Sequence, residues 1–267
     1  MKSQGLDYRS YLDAAVRMAH EAGELLLRYY RHVEAREKGP GDLVTDADIA
    51  SQRLVAARIA DAFPTHTLLA EEEGATPDLD APWRWIVDPL DGTMNFAHGF
   101  PFWAVSIGLE HEGVPVVGVV FDPIARTTYA AAHGRGATLN GEPIRVSPAK
   151  SMRNSLIATA LPTDVSKEAD RQMAYMRRFS IGTHSVRRTG SSALNLSLLA
   201  AGRCEVCYAT WMHPWDAAAG VVLVREAGGV VSDLDGTPYN LYGGSILATN
   251  GHVHDEAVRF LAEAWSE

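Results

Sequence analysis

Asp88-Pro89-Leu90-Asp91-Gly92-Thr93 places two carboxylates three residues apart around a proline, directly after the apolar run Trp85-Ile86-Val87. The run reads as a short buried strand, and Pro89 cannot donate to a sheet ladder, so the acids mark a strand end. Carboxylates there are hard oxygen ligands for a cation such as magnesium. If Gly92 and Thr93 open a helix, their free amides face an anion. The chemistry suggested is metal-assisted attack on a phosphate. Three further acidic pieces could join it: Glu71-Glu72-Glu73, Thr45-Asp46-Ala47-Asp48 and Trp215-Asp216. Taken singly, such groups are solvated loops or first-turn acids that suit a helix dipole. Taken together they would repel: two carboxylates ~4 Å apart cost ~4 kcal/mol at an effective dielectric of ~20. A converging set must therefore take up protons or divalent cations.

The elements that position these acids can be read from periodicity. Leu12, Val16, Ala19, Gly23, Leu26, Leu27 and Tyr30 recur at helical spacing, giving a long amphipathic helix over residues 7–32. Arg36 to Gly41 has the composition of a mobile loop, with Lys38 inside it. A second helix starts at Thr45-Asp46 and stops before Pro64. Short apolar runs then predict strands at 67–70, 85–87, 104–109, 116–121 and 127–132, with a hairpin turn at His111-Glu112-Gly113 that implies antiparallel pairing. Beyond residue 150 strands are expected at 155–160, 204–208, 230–232 and 246–249. Helices are expected at 167–179, 191–201 and 215–227, and from 252 onward. The chain divides into an α+β half, 1–150, carrying Glu71 and the Asp88–Thr93 motif, and an α/β half, 151–267, carrying Asp216; no linker separates them, so they form one compact unit.

Composition narrows the function classes. Hydrophobic residues make up 46% and charged residues 21% of 267 residues, which is globular. A formal net charge of -9 argues against nucleic acid or an anionic membrane as partner. No N-terminal apolar leader and no run of ~18 apolar residues occurs, so a cytoplasmic protein is expected. Cys204 and Cys207 form a C-x-x-C pair, but a three-residue offset on a strand sends the sulfurs to opposite faces. Two buried thiols are expected, not a zinc or redox site.

The order Glu71-Glu72, Asp88-Pro-Leu-Asp91-Gly-Thr93, Trp215-Asp216 closely resembles the inositol monophosphatase family of magnesium-dependent, lithium-sensitive phosphomonoesterases. The resemblance extends to Asp42-Leu-Val-Thr45, Phe100-Pro101-Phe102, Gly190-Ser-Ser-Ala-Leu-Asn195 and Glu226-Ala-Gly-Gly229. It implies an α/β (α+β) fold layered α-β-α-β-α, of the inositol monophosphatase and fructose-1,6-bisphosphatase type, and a homodimer. It implies two or three Mg2+ per site, with Glu71, Asp88 and the Leu90 carbonyl holding one ion and Asp88, Asp91 and Asp216 a second. Asp48 and Thr93, supported by Thr45, would orient the attacking water, and Glu71 or the Thr93–Asp48 pair would take its proton. The phosphate would rest on Gly92 and Thr93, with Asp91, Gly190, Ser191, Ser192 and Asp216 completing the contacts to a small phosphorylated metabolite. Direct in-line displacement follows, without a phosphoenzyme, since no cysteine or histidine nucleophile is legible and His213 reads as a structural neighbour.

Inositol 1-phosphate is the expected substrate. In animal members of the family a glutamate contacts the inositol ring, and the aligned position here is Ala209, which removes a polar anchor. Histidinol phosphate, fructose 1,6-bisphosphate and 3′-phosphoadenosine nucleotides are the alternatives. Trp211 could stack on a ring, although a buried core position is the preferred expectation. A reading of another class is an interaction protein of the transcription machinery, as some bacterial relatives are.

Overall fold

Ala15, Ala19, Ala22 and Leu26 recur every three or four positions and are fully buried, so Arg9–Tyr29 forms helix α1 with one covered face. The structure is a computed structural model that describes residues 7–32, 35–39, 42–72, 81–161 and 168–266. Strand β1 (Ala35–Gly39) pairs antiparallel with β2 (Asp42–Thr45). This corrects the loop expected at 36–41: Arg36 pairs with Val44 and Glu37 with Leu43, so pairing to the next segment overrides local composition. The side chain of Lys38 lies outside the described residues, as does Glu73. Thr45 then caps α2 (Asp46–Ala62).

Seven strands make the first sheet in chain order: β3 (Thr67–Ala70), β4 (Trp83–Asp91), β5 (Ala104–His111), β6 (Val114–Asp122), β7 (Thr127–Ala132), β8 (Ala137–Leu139) and β9 (Glu142–Ile144). Only β3 and β4 pair in parallel. The β5–β6 turn places Glu112 and Gly113 at φ 49° and 78°, the two left-handed residues a tight hairpin needs. A one-turn helix, α3 (Thr93–Ala97), links β4 to β5. The second sheet and its helices comprise β10 (Leu156–Ala160), α4 (Ala169–Gly182), β11 (Ser185–Arg188), α5 (Ser192–Ala200), β12 (Val206–Ala209), α6 (Pro214–Glu226), β13 (Val230–Ser232), β14 (Ile246–Thr249) and α7 (His254–Ser266). Its strand order is β11-β10-β12-β14-β13.

Alternation along the strands builds the layers. Trp85 and Val87 join the core under α1 and α2, whereas Ile86 faces the core under α5 and α6. In the second sheet Ala158 and Cys207 face α5 and α6, while Ile157, Val206 and Tyr208 face Phe179 of α4 and Phe260 of α7. The sequence α-β-α-β-α results, with α5 and α6 sandwiched between the two sheets. Helix α6 lies unusually close to the first sheet because Gly108 and Gly118 are partners across β5 and β6. A Cβ on Gly118 would sit 2.2 Å from the Ala219 carbonyl oxygen, and one on Gly108 would sit 2.8 Å from the Ala218 Cβ.

Candidate active site

Two carboxylates three residues apart on a regular strand would point to opposite faces. Here Asp88 pairs with Ser106 and Asp91 with Ala104, so β4 carries one extra residue against β5. That bulge turns both acids to the same side, and it lies where Pro89 has no N–H to lose. Both side chains are buried. Asp88 Oδ1 accepts the Leu90 amide at 3.0 Å. Asp91 is held by the start of α5: Ser192 N donates to Oδ1 at 3.1 Å, Ala193 N donates to Oδ2 at 2.9 Å, and the Ser191 hydroxyl also donates to Oδ2.

Asp216 arrives from the first turn of α6, where its Oδ2 accepts the His213 amide at 2.9 Å. Oxygen atoms of Asp88, Asp91 and Asp216 all lie within 4.8 Å of one another. Burial raises the pKa of all three. Repulsion from Glu71, Asp91 and Asp216 adds to it at Asp88, which stands well above the carboxylate range. Asp91 rises to about 6, restrained by the donors of Ser191, Ser192 and Ala193. Asp216 rises to about 7, with Asp91 adding to the effect of burial. Among the described residues this is the group of acids close enough to share an ion. Its donors are all hard oxygens, and among the described residues no cationic side chain lines the cleft, so the set fits magnesium or a similar cation. The cleft above it measures about 160 Å³ and is lined by Leu43, Glu71, Leu90, Gly92, Thr93, Met94 and Gly190 besides the three acids. A larger recess of about 470 Å³, between α4, α7 and residues 233–245, has no comparable set of ligands among the described residues.

A hydrogen-bonded chain borders the cleft. Asp48 is fully buried at the third position of α2 and accepts the Thr45 amide at 2.8 Å and the Thr45 hydroxyl at 2.5 Å, both on Oδ2. The Thr93 hydroxyl lies 2.8 Å from Asp48 Oδ1 and 3.0 Å from the Leu90 carbonyl; with one proton it donates to one of them at a time. Burial raises the Asp48 pKa against the opposing hydrogen bonds of Thr45 and Thr93. Helix α2 also places its neighbours: Ser51 donates to the Pro89 carbonyl at 2.9 Å, and Gln52 Oε1 accepts the Glu72 amide at 2.8 Å, which anchors the segment carrying Glu71. Gly92 has φ 98°, and a Cβ there would approach the carbonyls of Gly190 and Phe102 to 3.2 Å. Asn95 crosses the same gap, donating to the carbonyls of Phe102 at 2.7 Å and Thr189 at 2.9 Å.

The structure brings Glu71, Asp88, Leu90, Asp91, Gly92, Thr93, Gly190 and Asp216 to one cleft, with Asp48 and Thr45 behind Thr93. The Ser191 hydroxyl and the Ser192 amide are turned onto Asp91. Trp211 is not in the core: it is 58% exposed, one residue before the buried Met212. Cys204 and Cys207 are buried free thiols, as expected, but not on opposite faces: Cys204 precedes β12 and both join the core around α5 and α6. Sequence reasoning missed Leu43 and Met94 in the cleft wall, and Ser51, Gln52 and Asn95 as supports. The signal for Ser51 and Gln52 was available: Asp48, Ser51, Gln52, Val55 and Ile59 share one helical face, so polar residues were on the buried side of α2.

A sequence model described as the inositol monophosphatase family matches residues 7–266. The inositol-1-monophosphatase of Synechocystis sp. is 42% identical over 258 residues, covering 96% of this chain and 90% of that protein. Nus factor SuhB of Escherichia coli is 39% identical over 245 residues, covering 91% and 92%. Among solved structures, inositol monophosphatase from Anabaena (Nostoc) sp. superposes with a TM-score of 0.89 at 40% identity, covering 97% of each chain.

Proposed function

Because the chain belongs to the inositol monophosphatase family of phosphomonoester hydrolases, we propose that it hydrolyses inositol 1-phosphate to inositol and phosphate with magnesium as cofactor. The observation that carries this is the convergence of Asp88, Asp91 and Asp216 on one cleft whose rim holds the Thr93–Asp48 pair. Glu71, Asp88 and the Leu90 carbonyl would hold one ion, and Asp88, Asp91 and Asp216 a second. When bound, these cations supply positive charge to the phosphate and lower the pKa of water.

The remaining work falls to the chain. Asp48 accepts the Thr93 proton, which leaves lone pairs on Thr93 Oγ1 to receive a hydrogen from the attacking water and aim its oxygen at phosphorus. As the new P–O bond forms, the ester P–O bond breaks on the opposite side, and the departing alkoxide takes a proton from solvent to give the free alcohol. The water proton passes to Glu71 or to the Thr93–Asp48 pair; a buried Asp48 with a raised pKa holds a proton better than a surface aspartate. The amides of Gly92 and Thr93 begin α3 without a preceding turn to accept from them, so they are available to the phosphate. The Mg2+ requirement, lithium sensitivity, homodimeric assembly, cytoplasmic location and action of 1–150 with 151–267 as one unit belong to the same reading. No described helix is long and apolar enough to cross a membrane.

Phosphate release measured with magnesium across inositol 1-phosphate, histidinol phosphate, fructose 1,6-bisphosphate and adenosine 3′,5′-bisphosphate tests the substrate. Inositol 1-phosphate should lead, and lithium should inhibit. In oxygen-18 water the label should reach phosphate in the first turnover; a trapped phosphoryl-protein would refute direct attack. The likeness to a Nus factor supports a second reading, a role in the transcription machinery. Asp91→Asn separates the two: loss of hydrolysis together with the cellular phenotype supports the enzyme, and an intact phenotype supports the interaction role.

A further inference from the structure

Beyond Asp216 the polypeptide builds a ladder of three rings. The backbone amide of His213 donates to Asp216 Oδ2 at 2.9 Å, and its imidazole stacks on Trp215 with centroids 4.6 Å apart and planes 12° apart. Trp211 stands edge-on to the same imidazole, at 5.8 Å and 89°, and its indole N–H donates to His213 Nε2 at 3.3 Å. That bond uses the only polar atom of the indole and fixes its orientation. What remains is a bare aromatic face in water, one imidazole away from a residue of the acidic cleft. Leaving so large an apolar side chain uncovered forfeits burial worth ~1.5–3 kcal/mol.

At two neighbouring positions no exposed hydrogen-bonding side chain stands. Ala209 is fully buried in β12, and the buried Thr210 hydroxyl accepts from Gln172. Met94 and Leu43 add apolar surface to the cleft wall. The acids at the floor serve the phosphate, and Trp211, hydrogen-bonded to the imidazole of the residue whose amide holds Asp216, presents an aromatic face. A cyclic alcohol suits such a surface, because its ring offers a flat array of C–H bonds to an indole; an acyclic polyol presents no such plane.

We propose that Trp211 is a specificity-determining residue that stacks on the ring of the leaving alcohol, so that the protein selects phosphomonoesters of cyclic alcohols over acyclic ones. This rests on the phosphatase reading above. The test compares kcat/KM for inositol 1-phosphate with kcat/KM for glycerol 2-phosphate in the unaltered chain, Trp211→Ala and Trp211→Phe, with magnesium present. In Trp211→Ala the ratio of the two should fall about five- to tenfold, the loss lying in KM for the ring ester, and Trp211→Phe should recover most of it. An unchanged ratio, or equal losses on both esters, would overturn the proposal while leaving the phosphatase reading in place. If the unaltered chain hydrolyses neither ester, the inositol 1-phosphate reading fails and the proposal falls with it.

Discussion

Asp88, Asp91 and Asp216 are each unfavourable where they stand. Burial raises their pKa values, Asp91 to about 6 and Asp216 to about 7 from an ordinary 3.8, and repulsion adds to it at Asp88 and Asp216. Between pH 4 and 7 the folded protein without metal therefore holds protons that the unfolded chain has released, and its stability falls as pH rises through that window. Calorimetry of the metal-free protein should show Tm decreasing from about pH 4 to about pH 7. Magnesium should raise Tm more at pH 7.5 than at pH 5; a flat Tm, or equal magnesium effects, would contradict this. Thr93 acts through one oxygen, so Thr93→Ala should lower kcat ~100-fold with little change in Tm, and Thr93→Ser should restore most of the rate. The acids were legible in the sequence because each stands beside a proline, a glycine turn or a helix start. The bulge that turns Asp88 and Asp91 to one side was not, since it depends on pairing with Ser106 and Ala104. Nor was the exposure of Trp211, because a tryptophan beside an apolar strand reads the same whether it faces in or out.

At the scale of elements, α6 decides where Asp216 sits, and the glycines beneath α6 decide how near it comes. Gly118→Ala places a methyl group against the Ala219 carbonyl, where only a backbone shift can make room. It should cost ~1–3 kcal/mol, seen as a lower urea midpoint, and should weaken magnesium affinity because α6 carries Asp216 outward. Normal magnesium affinity in that variant would contradict the link between helix depth and site geometry. Long periodic elements such as α1 and the β5–β6 hairpin were readable because burial repeats along them. The strands β8 and β9 have three residues each, too few for any period to show, and β1 has its partner in the next segment.

Across the whole molecule, residues far apart in the chain meet at many points, and two of these hold buried charge. One is the cleft, where the start of α5 holds Asp91 of β4. The other is a buried ion pair: Arg84 of β4 meets Glu110 of β5 at 2.5 Å, and the hydroxyl of the 42% exposed Tyr242, from the segment between β13 and β14, lies 2.7 Å from both. Arg84→Met leaves the Glu110 charge buried without its cation and should cost ~3–5 kcal/mol in urea unfolding, whereas Arg84→Met with Glu110→Met should regain most of that loss. Equal destabilisation by both variants would refute a charge-pair origin. The layered architecture followed from the family likeness, whereas this ion pair had no local signature, because a buried Arg and Glu separated by 26 positions look like surface residues in sequence. Hydrolysis by this chain requires one pocket with both its acids and a cation. The most direct measurement is phosphate release from inositol 1-phosphate as magnesium is titrated into the unaltered chain and into Asp216→Asn. Release should be absent without magnesium, saturate as it is added, and fall at least ~100-fold in Asp216→Asn; release without magnesium, or an Asp216→Asn variant as active as the parent, would contradict it.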